Sequence, residues 1–424
     1  MPPVKAVLVG AGNRGKEVYG KFALEHPDDL EIRTVIDPIR ERATPLAERV
    51  GAPNSLTDWD SFQRTDEDAI IIASPPSMHY THATDAMAVH DFKHVILEKP
   101  ISTTLASCNL VAEAAEKYEA TVLVTEVLRY SPFFIAARDF IREGSLGPLQ
   151  YIELVHLSGD RSFQHSGVRG NEATQEVSGP TTLSKSVHDF GILEFLAGDS
   201  AIGAISRALP PRFHSGAAYW EDVPDRCIEE DGKRCGYGER GSCPFDAVEY
   251  YTGPNAMVSV AQAAQMCDAP SQADLLKVIQ EGPYGRCIWH CDNDVVDAYE
   301  AEVLWAGGLR ARFRLDANYP CAPTRKLEVR FPEGKLEGDL RMNKLEMDTG
   351  TSRQSLSGRI GDVEGAQGTH GGADALLIKD FLRSVRGEEA ELVTSIHRVL
   401  GAHTLALVAN VSQATNGAYL PLYE

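Results

Sequence analysis

Val4-Lys5-Ala6-Val7-Leu8-Val9-Gly10-Ala11-Gly12-Asn13-Arg14-Gly15 stands almost at the start of the chain and announces its architecture. Val4–Val9 is a short apolar run rich in β-branched residues, the pattern of a strand buried on both faces. Lys16–Glu25 comes next with a helical pattern. The turn between them is a GxGxxG. Gly10, Gly12 and Gly15 permit a tight turn and close backbone approach, so the helix N-terminus, opening at Asn13 and Arg14, can meet a pyrophosphate. Asp37 closes the next strand, 22 residues after Gly15. An acid there can accept hydrogen bonds from the adenosine ribose hydroxyls and repels a 2′-phosphate, which favours NAD over NADP; Arg40 nearby is the one feature suited to NADP.

Outward from this motif, strands and helices alternate. Glu31–Ile36, Ala69–Ala73, His94–Leu97 and Thr121–Thr125 read as strands, and Arg40–Val50, His79–Val89 and Leu105–Tyr118 as helices. Such alternation predicts a doubly wound parallel sheet covered on both faces, a Rossmann domain over residues 1–128. Two segments fall at the carboxyl ends of its strands, where ligands bind in such folds. Ser74-Pro75-Pro76-Ser77-Met78-His79 succeeds the fourth strand, its prolines holding the backbone extended. Glu98-Lys99-Pro100 succeeds the fifth.

After Pro132 the rhythm changes. A helix (Phe133–Glu143), a strand (Leu149–Leu157), a polar stretch (Gly159–Gly179) and a helix reaching about Ala197 are expected. Arg286–His290, Ala298–Trp305, Leu309–Leu315, Lys326–Phe331 and Leu340–Met347 read as short strands, with Gly307-Gly308 and Glu333-Gly334 as hairpin turns. Thr349–Gly372 reads as a loop, and Ala373–Val385 and Thr394–Thr415 as helices. Residues 129–424 are thus expected to form an α+β domain with a large, mostly antiparallel sheet, making the whole chain α/β in class.

The bulk numbers agree. At 424 residues the chain is long enough for two domains, and 43% hydrophobic with 24% charged residues is a globular composition. A net charge of −20 repels phosphate backbones and anionic lipid, so neither nucleic acid nor membrane is an expected partner. No apolar run approaches a membrane span, no signal peptide is evident, and eight cysteines without a dense framework fit a reducing compartment, the cytoplasm.

Taken in order, GAGNRG, Asp37, SPPSMH, Glu98-Lys99-Pro100, Arg129-Tyr130-Ser131-Pro132 and His188-Asp189-Phe190 resemble the Gfo/Idh/MocA oxidoreductases along essentially the whole chain. HSGVRGN (165–171), CPFDA (243–247), YGRCIWHCDNDVVD (284–297) and HGGAD (370–374) are similar to one branch of sugar or inositol-type dehydrogenases. The resemblance implies an NAD-dependent enzyme acting at a secondary hydroxyl or keto carbon of a sugar, inositol or related polyol. It implies cofactor contacts from Gly10, Gly12, Asn13, Arg14, Gly15, Asp37, Ser74, Pro75, His79, Glu98 and Lys99. Arg129, Tyr130, His165, Arg169, Lys185 and His188 are the expected substrate contacts. It also implies a homodimer or homotetramer joined through the open sheet.

In that family Lys99 corresponds to a lysine near the nicotinamide, and His188 to an acid/base histidine. Hydride loss from a carbinol carbon requires a positioned base for the hydroxyl proton, and histidine has a near-neutral pKa without tuning. His188 is therefore expected to accept the proton, with Lys99 orienting or sharing it. Where inositol-dehydrogenase-like members carry an aspartate one turn earlier, this chain has Ser184, with Lys185 beside it. Helical spacing lets Lys185 face the substrate, making it a third catalytic candidate.

Cys227, Cys235 and Cys243 share a CX7CX7C spacing, unlike the close pairs of structural zinc sites, so they read first as free thiols and no metal is expected. Two other functions stay open. An NAD-dependent glycoside hydrolase would oxidise a sugar carbon transiently, eliminate the substituent, add water and re-reduce, with the polar stretches at 160–176 and 212–246 enlarging the pocket. A non-catalytic NAD sensor would not need the Lys99 and His188 pair.

Overall fold

The computed structural model describes residues 1–170, 172–214, 223–229, 231–253, 271–361 and 372–422. Its first sheet has six parallel strands: β1 (Val4–Val9), β2 (Leu30–Ile36), β3 (Asn54–Leu56), β4 (Ala69–Ile72), β5 (His94–Leu97) and β6 (Thr121–Val124). They lie in the order β3-β2-β1-β4-β5-β6, the doubly wound order that places a ligand crevice beyond the carboxyl end of β1. The strand Asn54–Leu56 was not anticipated: its polar, exposed residues carry no strand pattern, and it exists by pairing with β2.

The second sheet has nine strands. Those adding to the expected set are β8 (Gly203–Ala208), β12 (Gly334–Asp339), β14 (Arg353–Ser355) and β15 (Leu420–Pro421). The others are β7 (Tyr151–Leu157), β9 (Ala298–Leu304), β10 (Arg310–Asp316), β11 (Thr324–Phe331) and β13 (Lys344–Asp348). The order is β14-β13-β12-β11-β7-β10-β9-β8-β15, antiparallel except between β7 and β10. β7 and β11 bury alternate residues, so one face packs on helices and the other faces water.

Two expected strands need correction. Arg286–His290 is a turn after a single bridge from Arg226 to Arg286; its apolar residues are buried by a side-chain cluster instead of a sheet. Leu340–Met347 spans a turn and β13, because Asn343 adopts positive φ and reverses the chain. Of the loop expected over 349–372, residues 362–371 lie outside the described residues, as do Asn171 and the first two residues of the 370–374 motif.

The helix Ala373–Val385 packs into the first domain. Its Ala373, Leu377, Ile378, Phe381 and Leu382 share one core with Val4, Ala6, Leu8 and Ile71 on one face of the six-stranded sheet. Ile396 and Val399 close the opposite face. A split at residue 128 therefore matches the sequence but not the packing, since the late helix offers the apolar stripe that β1 and β4 need.

The helix expected to run unbroken to Ala197 is two pieces, Thr181–Ser184 and Val187–Ala197. The second is buried nearly all round between the two sheets' helices. Asp189 pins its first turn to the second sheet. Its Oδ2 meets His156 Nδ1 of β7 at 2.9 Å and its Oδ1 accepts from Arg325 Nε of β11 at 2.5 Å. Burial would push this carboxyl up, but Arg325 and His156 outweigh it and hold it at about 2.

Candidate active site

The glycine turn after β1 has three distinct positions. Gly10 has φ +102°, and a Cβ there would strike the Ala73 carbonyl, so this glycine lets β1 and β4 run close together. Gly15 lies as tightly under the Gly10 carbonyl. Gly12 differs: a Cβ would meet nothing within 4 Å, which leaves the turn open on the side facing away from the protein. That open cradle, with the helix beginning behind it, fits a dinucleotide pyrophosphate. Asp37 is buried at the end of β2; its Oδ2 accepts from Ala11 N at 2.8 Å and its Oδ1 from Ile39 N at 2.9 Å. The acid thus stands beside the glycine turn, where a ribose would lie.

Several residues expected at the cofactor have other work. Glu98 is buried, with Oε1 accepting from Arg14 Nε and Tyr19 Oη at 2.7 Å each, and Oε2 from Thr125 Oγ1 at 2.6 Å. Arg14 also reaches Asp374 at 2.7 Å. Glu98 and Arg14 therefore clasp β5, the glycine-turn helix and the late helix together. Burial opposes the Glu98 charge, but Arg14, Thr125 and Tyr19 hold its pKa below the usual carboxylate range. His79 is buried with Nδ1 2.7 Å from the Pro100 carbonyl and Nε2 2.8 Å from that of Ser74. It joins the two loops at the strand ends and does not point at a ligand; burial pushes its pKa down. Pro75 starts the adjoining helix in extended geometry, and Ser74 Oγ meets His82 Nδ1 at 2.9 Å.

Lys99 is the charged residue these loops present. Its Nζ donates to the Ser184 carbonyl at 2.6 Å. That carbonyl is available because the helix stops there: Asp189 and Phe190 take up Ser186 O, leaving Ser184 O as an orphan at a helix end. Burial, together with Lys185, pushes the Lys99 pKa down, against the opposing pull of Glu172. Lys185, expected to face substrate, is turned to Glu172, with Nζ to Oε2 at 2.5 Å. His188 sits in the first turn of Val187–Ala197 and is 6% exposed.

Among the expected substrate contacts, three are engaged by the protein itself. Arg129 is buried between domains, its Nη1 donating to Arg398 O at 3.0 Å and its Nε 3.4 Å from Glu126. Tyr130 donates to Asp380 Oδ2 at 2.7 Å, fastening the late helix. Arg169 is 1% exposed and spends its donors on Arg286 O, Phe245 O, Gln164 Oε1 and Cys227 Sγ. Each is taken up by the protein. His165 stays at the site: its ring stacks on Tyr284 at 4.9 Å, its Nδ1 meets Tyr251 Oη at 2.7 Å, and burial with Lys185 pushes its pKa down to about 4. Glu172 was missed, since an acid in a polar stretch carries no local mark of where the loop will fold.

Cys227, Cys235, Cys243 and Cys287 line one cavity with Arg169, Tyr237 and Trp289. All are free thiols, and no group of three or more His, Cys, Asp or Glu among the described residues could hold a metal ion.

Residues 4–126 match the Gfo/Idh/MocA oxidoreductase family in its NAD-binding Rossmann fold. The oxidoreductase YteT of Bacillus subtilis (strain 168) is 25% identical over 338 residues, covering 76% of this chain and 74% of that protein. An alpha-N-acetylgalactosaminidase of Shewanella oneidensis is 24% identical over 233 residues, 49% of this chain and 50% of that one. Among solved structures, a levoglucosan dehydrogenase in complex with NADH and levoglucosan superimposes with a TM-score of 0.70 over the full length of both chains, at 16% identity.

Proposed function

We propose that this NAD-binding oxidoreductase of the Gfo/Idh/MocA type oxidises a secondary hydroxyl of a sugar, inositol or related cyclic polyol, or reduces the matching ketone. The observation that carries the reading is the Lys99 amine, half-buried at the end of β5 on the sheet edge that also holds the open Gly12 cradle.

The dinucleotide supplies, when bound, a hydride acceptor. Gly10, Gly12 and Gly15 with the helix N-terminus would hold its pyrophosphate and Asp37 its ribose. The residues then handle the proton that the hydride leaves behind. As the carbinol C–H electron pair departs, the O–H proton must leave so that the C=O bond can form. In this reading Lys99 takes that proton in place of His188, the acceptor expected from the resemblance, because the Lys99 amine is held at the strand end by Ser184 O. Burial lowers its pKa and so favours the neutral amine relative to an exposed lysine, and one N–H still donates to Ser184 O, which aims the lone pair. His188, one turn beyond the helix break, orients the hydroxyl. His165 and Tyr284 form an aromatic wall of the kind on which the apolar face of a sugar ring packs.

The levoglucosan dehydrogenase likeness supports a cyclic carbohydrate as substrate. The galactosaminidase likeness keeps a redox-neutral hydrolase as the second reading. We place the enzyme in the cytoplasm as a homodimer or homotetramer. The solvent face of the nine-stranded sheet, where Arg312 and Arg314 alternate with Glu153 and Glu300, is the surface we assign to contact between copies.

The test is incubation with NAD and a panel of sugars, inositols and glycosides. NADH and a keto product in equal amounts are expected. An aglycone released in an NAD-dependent way without NADH accumulation would replace this reading by the hydrolase. Lys99→Met should lower kcat by ~10²–10⁴-fold with NADH binding retained.

A further inference from the structure

Two segments have no role in the hydride and proton chemistry: residues 164–170, with the buried Arg169, and the Cys291–Asp297 stretch. Both converge on one short segment. Arg169 fixes the turn before it through four protein acceptors. Glu172 N donates to Ser166 O at 3.1 Å, closing the turn on itself. Asp294 then anchors the residues just beyond: Asp294 N donates to Ala173 O at 3.1 Å, and its Oδ1 and backbone carbonyl accept from Gln175 N and Nε2 at 2.8 and 3.0 Å. Asp297 ties the same stretch to the 212–213 backbone, accepting from Arg212 N at 2.7 Å and Phe213 N at 3.0 Å. The residue held from both sides by this scaffold is Glu172.

Its carboxylate meets Lys185 Nζ at 2.5 Å, and Lys185 comes directly after Ser184, whose carbonyl holds Lys99 Nζ at 2.6 Å. The carboxylate pairs with Lys185 and favours the charged form of Lys99 as well; Lys185, Glu98 and Arg14 also act on Lys99, Glu98 and Arg14 being already clasped to each other, and His79 and His403 feel its charge. Ser184 stands where a carboxylate was expected from the resemblance. The negative charge is present, but it comes from a loop further back in the chain.

We propose that Glu172 is the positioning residue of the proton-transfer centre: it turns Lys185 away from substrate and supplies the counter-charge that stabilises Lys99 once Lys99 has taken the hydroxyl proton. The inference rests on Lys99 being the proton acceptor. The proton leaving the carbinol oxygen forms an ammonium at Lys99, no other side chain changes its charge, and the hydride leaving the carbinol carbon would neutralise the nicotinamide of a bound dinucleotide.

Glu172 and Lys185 should move Lys99 in opposite directions. An acid about 4–6 Å away favours the ammonium, whereas a second cation disfavours it. In the full-length protein without NAD, the pH dependence of Lys99 labelling by acetic anhydride, tracked residue by residue by mass spectrometry, reads this directly. Glu172→Gln should shift the Lys99 midpoint down by about one pH unit or more, Lys185→Met should shift it up, and Glu172→Asp should restore most of the wild-type value. The rising limb of kcat/KM for alcohol oxidation should move with the labelling midpoint. Equal, same-direction or absent shifts in the Glu172→Gln and Lys185→Met proteins would overturn the proposal. Should Glu172→Gln fail to fold, Lys185→Met and Glu172→Asp still carry the comparison. Opposite labelling shifts in a protein that oxidises no carbinol would leave Glu172 in place and dismiss the dehydrogenase reading alone.

Discussion

The carboxylate of Glu126 lies where a Cβ on Gly191 would be. Glu126 leaves the last strand of the first sheet, and Gly191 is on the buried helix Val187–Ala197, whose first turn carries His188. The absent side chain is what lets the two domains meet at this distance, so the separation between Lys99's loop and His188's helix depends on one glycine.

Gly191→Ala should therefore lower stability by about 1–3 kcal/mol, the usual cost of forcing a methyl into a packed interior. Urea unfolding with unchanged slope would measure it. Because the helix itself moves, turnover should fall more than NADH affinity does.

Glu126 is fully buried, and burial pushes its pKa up to about 8 despite Arg129, with Glu194 adding to the rise. The unfolded chain ionises near the ordinary value of 4.5. Between those values the unfolded state has released a proton that the folded state keeps. Stability from this group is thus complete below pH 4.5 and declines as pH rises to about 8, by at most about 1.4 kcal/mol per pH unit. Thermal midpoints at pH 6 and 8 should differ more in the native protein than in Glu126→Gln. Equal differences would mean that Glu126 is ionised in the folded state at both pH values.

Gly12→Val separates folding from binding. No protein atom lies within 4 Å of the new Cβ, so the thermal midpoint should move little. The side chain would fill the cradle, and NADH fluorescence titration should show binding at least ~10-fold weaker. A variant that binds NADH normally would remove the glycine turn from the cofactor site.

Arg325→Met leaves the buried Asp189 charge with His156 alone beside it. Breaking one side of a buried ion pair costs about 3–5 kcal/mol, and this variant should approach that range in urea unfolding at pH 7. Below pH 4 the loss should shrink. The Asp189 pKa is depressed to about 2 in the native protein, and the stability it lends disappears as pH falls from 3.8 toward that value.

Much of the first domain was legible locally. β1, the glycine turn and Asp37 emerge from patterns a few residues long, because a strand buried on both faces and a tight turn each impose composition on their own residues. The second sheet was legible only in part. β8 pairs with β9 across most of a hundred residues, and the exposed β3 owes its existence to its neighbour β2. Cys287, Ile288 and Trp289 look like a strand because burial, and not strand pairing, selects such residues. At the site, Lys99 and His188 stood out through the resemblance, yet the roles of Glu98, His79, Arg129, Tyr130 and Arg169 did not. A polar side chain's partners are set by tertiary approach, which spacing along the chain does not encode. Glu172 is the clearest case: its meaning comes from Asp294, Ser166 and Lys185, none of them in helical or strand register with it.

The late helix Ala373–Val385 also bears on how the protein is made. A ribosome delivers β1 through β6 first, yet the part of one apolar face not covered by Tyr19, Phe22 and Leu46 stays open until Ala373 and its neighbours emerge. At about 5–20 residues per second, tens of seconds separate Val124 from Ala373. During that interval the nascent nucleotide domain exposes a sticky half-finished surface, a natural client for chaperones and a reason for late truncations to abolish dinucleotide binding from a distance.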